Sequence, residues 1–165
     1  PCGGGTLTGP GTKMPLEMLR NHRVLERYLA EVLGYAWDRV DAEAEKLEHV
    51  ISEEFEGRID ALMGYPTTDP HGDPIPTRKG DIERESFLPL SRLQAGQSAI
   101  VRRVDDQNPE ILRHVEKLGL QLGTQMEVRD KAPFNGPLLL QINAHKDYSM
   151  GLELADHIFV QIIEE

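Results

Sequence analysis

The stretch YPTTDPHGDPIPTRKGDIERE, residues 65–85, is so rich in proline and glycine that no helix or strand can run through it. It divides the chain into two parts with different apolar periods. Before it, Met18, Leu25, Leu29 and Val32 recur at helical spacings within residues 14–34, and Gly34 suits a C-terminal stop. The run DRVDAEAEKLEHVIS from Asp38 places Val40, Ala44, Leu47 and Ile51 at i, i+4, i+7 and i+11, one buried face of a second helix. Ser52 followed by Glu53 and Glu54 is an N-terminal signal for a third, apolar at Phe55, Ile59 and Leu62 and stopped at Gly64.

After the proline-rich stretch the character changes to short runs, SAIVRRV, QMEVRD, LLLQI and HIFVQII, separated by turn residues. A short helix interrupts them, with Asn108 as N-cap, Pro109 at the first helical position and Gly119 as its stop. The expected fold class is therefore α+β, a helical domain followed by a compact β-barrel. The opening PCGGGTLTGPG is too glycine-rich for a helix interior.

Composition narrows the function classes. Lys+Arg 18 against Asp+Glu 28 gives a net charge of −10, which repels nucleic acid, so any DNA-reading surface must be local or absent. The single cysteine, Cys2, excludes an internal disulfide and fits a reducing cytoplasm. No apolar run is long enough for a membrane helix, and no basic segment followed by an apolar core marks a signal peptide.

On the second helix Asp41, Glu45, Glu48 and His49 fall at i, i+4, i+7 and i+8, so three carboxylates and an imidazole share one side. Like charges at these spacings repel unless water or a cation neutralises them. On the first helix His22 and Glu26 form an i, i+4 pair of the same two chemistries. Packed together, the helices would offer oxygen and nitrogen donors, a set that suits manganese and other first-row ions better than soft ones. Composition alone admits a simpler account: residues 38–56 hold eight acidic and two basic side chains, which could be only a solvated face.

Enzymatic readings lack their residues. An H-x-x-E-H hydrolase motif needs histidine where Glu45 stands, an E-x-x-H di-iron motif needs glutamate where Lys46 stands, and no serine has a G-x-S-x-G setting.

The segments LRNHRVLERYLAEVLGY, AEAEKLEHVISEEFEGRIDALMG and HGDPIP resemble the diphtheria-toxin-repressor family of metal-dependent transcriptional regulators. The likeness continues more weakly over residues 87–165, which are similar to that family's SH3-like, ferrous-transport-A-type barrel. The resemblance implies residues 1–12 as a remnant of the winged-helix wing, 13–76 as the helical metal-binding and dimerisation domain, 77–86 as linker and 87–165 as barrel. It implies His22, Glu45, Glu48 and His49 as metal ligands and Glu26 as a ligand of an ancillary site. Asp41 stands where iron-type members have histidine. Glu45 stands where they have cysteine, as in the manganese transport regulators, so Mn2+ (or Fe2+) is the expected cofactor. Gln107 and Glu110, before and within the barrel's short helix, are the candidates for a barrel-donated ancillary ligand.

Leu47, Val50, Ile59 and Leu62 are the expected homodimer interface, although a unit this small also needs apolar residues for its own core. Operator DNA would be bound only through an N-terminal domain that this sequence does not contain. The resulting expectation is a metal-dependent repressor without enzymatic activity. A second class, an SH3-like module docking a proline-rich peptide, is thinly supplied with aromatics, since Tyr148, Phe134 and Phe159 are the only ones beyond Phe87 in that part.

Overall fold

The computed structural model describes residues 10–164 and forms two compact units that divide between Arg84 and Glu85. The expectations for Cys2 and for a wing remnant in residues 1–9 lie outside the described residues.

The first unit contains α1 (Pro10–Glu31), α2 (Val40–Leu47) and α3 (Glu53–Leu62). The first helix starts at Pro10, earlier than the Met14 expected, and Gly34 follows its end at φ +74°, a conformation that glycine takes without strain. Val24, Leu25 and Leu29 of α1 meet Val40 and Ala44 of α2, Ile59 of α3 and Ile75 in one core. Val32, expected on that face, is 45% exposed because it lies beyond the helix end. Ser52 caps α3 as expected, its side chain accepting from the Phe55 amide at 3.0 Å.

The second helix is shorter than its apolar stripe suggested. It ends at Leu47, and residues 48–50 form a turn that brings Ile51 back onto the core just before the Ser52 cap. That early end removes His49 from the helical face it was assigned to.

Residues 65–84 carry no helix or strand, yet parts of this connection are buried. A single bridge joins Thr68 to Pro74, and three arginines of α1 hold its main chain. Arg20 donates to the Pro76 carbonyl at 2.9 Å, Arg23 to that of Pro74 at 2.5 Å and Arg27 to that of Thr68 at 3.4 Å. Each supplies a donor to a partly buried carbonyl of the connection.

The second unit is an open antiparallel six-stranded sheet of SH3-like type, ordered β1-β6-β2-β3-β4-β5. The strands are β1 (Leu88–Pro89), β2 (Ser98–Val104), β3 (Gln125–Lys131), β4 (Leu138–Ile142), β5 (Lys146–Met150) and β6 (Ile158–Ile163), with α4 (Pro109–Lys117) between β2 and β3 and α5 (Leu152–Ala155) before β6. Asn108 caps α4 through the Glu110 amide at 2.9 Å, and Gly119 follows its end at φ +78°. Register shifts at residues 101–103 and 128–130 reset the in-and-out alternation, so that Val101 and Val104, three apart, both point inward.

Candidate metal centre

His22 lies on α1 one turn before Glu26, and α2 crosses this face. Its Nε2 is 2.9 Å from Glu26 Oε1 and 2.9 Å from Asp41 Oδ1, while its Nδ1 is 2.5 Å from Glu48 Oε2. One imidazole therefore sits among three carboxylates. Burial opposes the charged form of His22, but hydrogen bonds and charge from Glu26 and Glu48 outweigh it and push its pKa up to about 9.

Glu26 continues the cluster inward. Only 1% exposed, it presents Oε2 to Nδ1 of His71 at 3.2 Å, and Oδ2 of Asp69 lies 3.9 Å from the same nitrogen. Glu26 thus bridges two imidazoles. Burial would raise its pKa, yet the His22 and His71 imidazoles beside it hold it below the ordinary value. For His71, burial is outweighed by Asp69, Glu26 and the Trp37 carbonyl, and its pKa is pushed up to about 11.

Asp69 divides its two oxygens. Oδ1 accepts from the amides of His71 at 2.8 Å and Asp73 at 3.0 Å, which folds the D-P-H-G-D loop, and Oδ2 is left for the cluster. Oδ2 of Asp69 and Oε2 of Glu26 are buried and accept no hydrogen bond among the described residues. Buried carboxylate oxygens facing an imidazole nitrogen are the donors a divalent cation would satisfy, and the oxygen and nitrogen set suits manganese or ferrous iron.

Of the residues singled out in the sequence, the structure gathers His22, Glu26, Asp41 and Glu48. Glu45 is exposed and joins no group of ligand-type side chains among the described residues. His49 is 62% exposed and reaches only Glu48, at 3.5 Å. The helical spacing that placed it beside Asp41 does not hold, because α2 ends at Leu47. Gln107 and Glu110 are exposed, and their amides donate to Asp105 and Asn108 within the cap of α4. Asp69 and His71 were missed as candidate ligands: a proline- and glycine-rich loop reads as surface, and only the D-x-H-G-D turn chemistry hints that it folds back.

Among the expected dimer residues, Ile59 (5% exposed) and the partly buried Leu47 belong to the core of this unit, whereas Val50 (75%) and Leu62 (69%) are exposed. Phe55, Ile59 and Leu62 share one side of α3, and Ile59 is the one on the edge next to the buried Glu56 and Asp60.

A helical unit holding an imidazole and carboxylate cluster, followed by an SH3-like sheet, defines the class of metal-responsive regulators. Residues 8–77 match the family model "Iron dependent repressor, metal binding and dimerisation domain", and residues 88–162 match the FeoA domain. The iron-dependent repressor IdeR of Mycobacterium leprae is 46% identical over 167 residues, covering 94% of this chain and 72% of that protein. A solved manganese-dependent transcriptional repressor in complex with manganese superposes with a TM-score of 0.90 at 37% identity, covering 96% of this chain and 75% of that one. The repressor ScaR with bound Cd2+ gives 0.77 at 32% identity, covering 93% and 71%. The chain belongs to the iron-dependent repressor family, in which the diphtheria toxin repressor of Corynebacterium diphtheriae is 26% identical over 94% of this chain.

Proposed function

We propose that this chain is the metal-sensing and dimerising part of a manganese- or iron-dependent transcriptional repressor, acting in the cytoplasm as a homodimer and not as an enzyme. The observation that carries the proposal is the carboxylate of Glu26, buried between His22 and His71 with an oxygen that accepts no hydrogen bond. His22, Glu26 and Asp41 form one ligand group, with Glu48 on the other nitrogen of His22 and His49 beside Glu48 at the exposed rim. Glu26, Asp69 and His71 form a second.

A bound divalent ion supplies positive charge that replaces the protons of both imidazoles. The chain supplies the rest. Glu26 ties α1 to the loop bearing His71, and His22 ties α1 to Asp41 in α2 and Glu48 after it. Loading the groups therefore fixes the relation of three segments at once, which is how binding biases a protein toward one conformation. Family membership supplies the consequence, repression of metal-homeostasis genes through operator binding by a DNA-reading domain. A peptide-docking role for the sheet domain is less favoured, since the Arg103 guanidinium covers the Phe159 ring at 3.8 Å.

Calorimetric titration with Mn2+ tests the proposal. Saturable binding that weakens at least roughly tenfold in Glu48→Gln, about 1.4 kcal/mol, is the expected result. Wild-type protein that binds no Mn2+ would leave the clusters as ion pairs and sink the reading.

A further inference from the structure

Trp37 stands in the connection between α1 and α2, where the Arg39 amide donates to the Ala36 carbonyl at 2.9 Å and the Tyr35 amide to that of Leu29 at 2.9 Å. Its main chain is thereby held in a turn. Nε2 of His71 lies 2.7 Å from the Trp37 carbonyl oxygen, and the indole stacks on the imidazole with centroids 5.9 Å apart and planes 29° apart. The same residue therefore contacts His71 twice, once through its main chain and once through its side chain.

A carbonyl oxygen only accepts, so Nε2 must carry a proton to make that contact. A neutral imidazole has one N–H, and placing it on Nε2 leaves the lone pair on Nδ1, the nitrogen that faces Glu26 and Asp69. Rotating the ring by half a turn would put carbon at both positions and lose the contact with the carbonyl, while the stacked indole fixes the plane of the ring.

From this geometry we propose that Trp37 is a positioning residue for metal capture: it selects the tautomer and orientation of His71, so that Nδ1 is the ligating atom of the Glu26–Asp69–His71 group. The inference rests on the reading of that group as a metal site. Residues that fix a ligating histidine through its other nitrogen govern affinity without touching the ion. Trp37 is also the only tryptophan in the chain, so its emission reports loading of this group directly.

The test uses the full chain, Mn2+ calorimetry and tryptophan emission. His71→Ala defines the binding phase that belongs to this group, and in wild type that phase quenches Trp37. Trp37→Leu weakens this phase roughly tenfold while the His22 phase moves by no more than about twofold, and Trp37→Phe, which keeps a stacking ring, recovers most of the loss. If His71→Ala removes no binding, the metal reading of the group fails and the inference with it. If His71→Ala removes a phase that Trp37→Leu leaves intact, or if Trp37→Leu weakens both phases equally, only the positioning role fails. Nitrogen-15 spectra of wild type loaded with diamagnetic Zn2+ decide the matter independently of any variant. Protonated Nε2 with ligated Nδ1 at His71 is expected, and the reverse assignment overturns the proposal.

Discussion

Glu26 is the residue whose loss should reach furthest, because its two oxygens serve His22 at 2.9 Å and His71 at 3.2 Å. Glu26→Gln keeps the shape and removes the charge. It should weaken Mn2+ binding in both phases of a calorimetric titration, whereas Asp41→Asn, altering a side chain that is 55% exposed at the rim, should affect one phase and less strongly. Equal, small effects from the two variants would mean that Glu26 is a core ion-pair partner only. The histidines add a pH signature. The pKa of His22 is raised from 6.5 to about 9, so in chelator-treated protein its ion pairs contribute fully below the unfolded value and are lost as pH rises through the folded one. Metal-free protein should therefore melt lower at pH 9 than at pH 7. Mn2+ affinity should run the other way across that window, rising by up to about tenfold per pH unit for each proton displaced. Thermal melts and titrations that move in the same direction with pH would exclude His22 as a proton-competing ligand.

Along α1 the three loop-holding arginines stand at positions 20, 23 and 27, on the side that faces the connection 65–84. Arg20 has the most at stake. Its guanidinium is 2.8 Å from both Glu56 and Asp60 of α3, with side-chain exposures of 11%, 5% and 6%. Arg20→Met leaves two buried carboxylates with less compensation and should cost about 3–5 kcal/mol in urea denaturation. Adding Glu56→Gln and Asp60→Asn should recover part of that loss, and no recovery would show that the guanidinium acts by packing alone. None of this network was legible in the sequence, where Arg20 is one of several basic residues on an amphipathic helix and Glu56 one of many acidic ones. What was legible is local: the Ser52 and Asn108 caps, the glycine stops at Gly34 and Gly119, and strands whose apolar runs are buried on both sides of a bulge. β5 escaped because KDYSM is an edge strand with one fully buried residue, Met150, and so carries no apolar alternation. His22, Glu26, Asp41 and Glu48 could be found by helical spacing. Asp69 and His71 could not, because their burial depends on contacts that span more than thirty residues of chain.

On the scale of the whole molecule, α3 and its flanks leave apolar surface uncovered: Val50 is 75% exposed, Phe55 45%, Leu62 69% and Tyr65 67%. Phe55 and Leu62, seven residues apart, lie on one face beside Ile59, which turns toward the core with Asp60. An apolar stripe wider than the core covers is one that a single small unit cannot bury, and apolar side chains grouped this way mark an association surface. In a symmetric dimer the same face meets its own copy, so each substitution acts twice. Leu62→Asp should therefore convert the dimer to monomer in sedimentation equilibrium, while Leu139→Asp, on a 40% exposed strand position of the sheet unit, should leave the mass unchanged. Because Leu62 takes no part in the unit's core cluster, the Leu62→Asp monomer should keep its helical circular dichroism. A dimer that survives Leu62→Asp would move the interface away from α3. Loss of folding together with dimerisation would mean that the protomer has no stable state of its own, and that its stability depends on protein concentration.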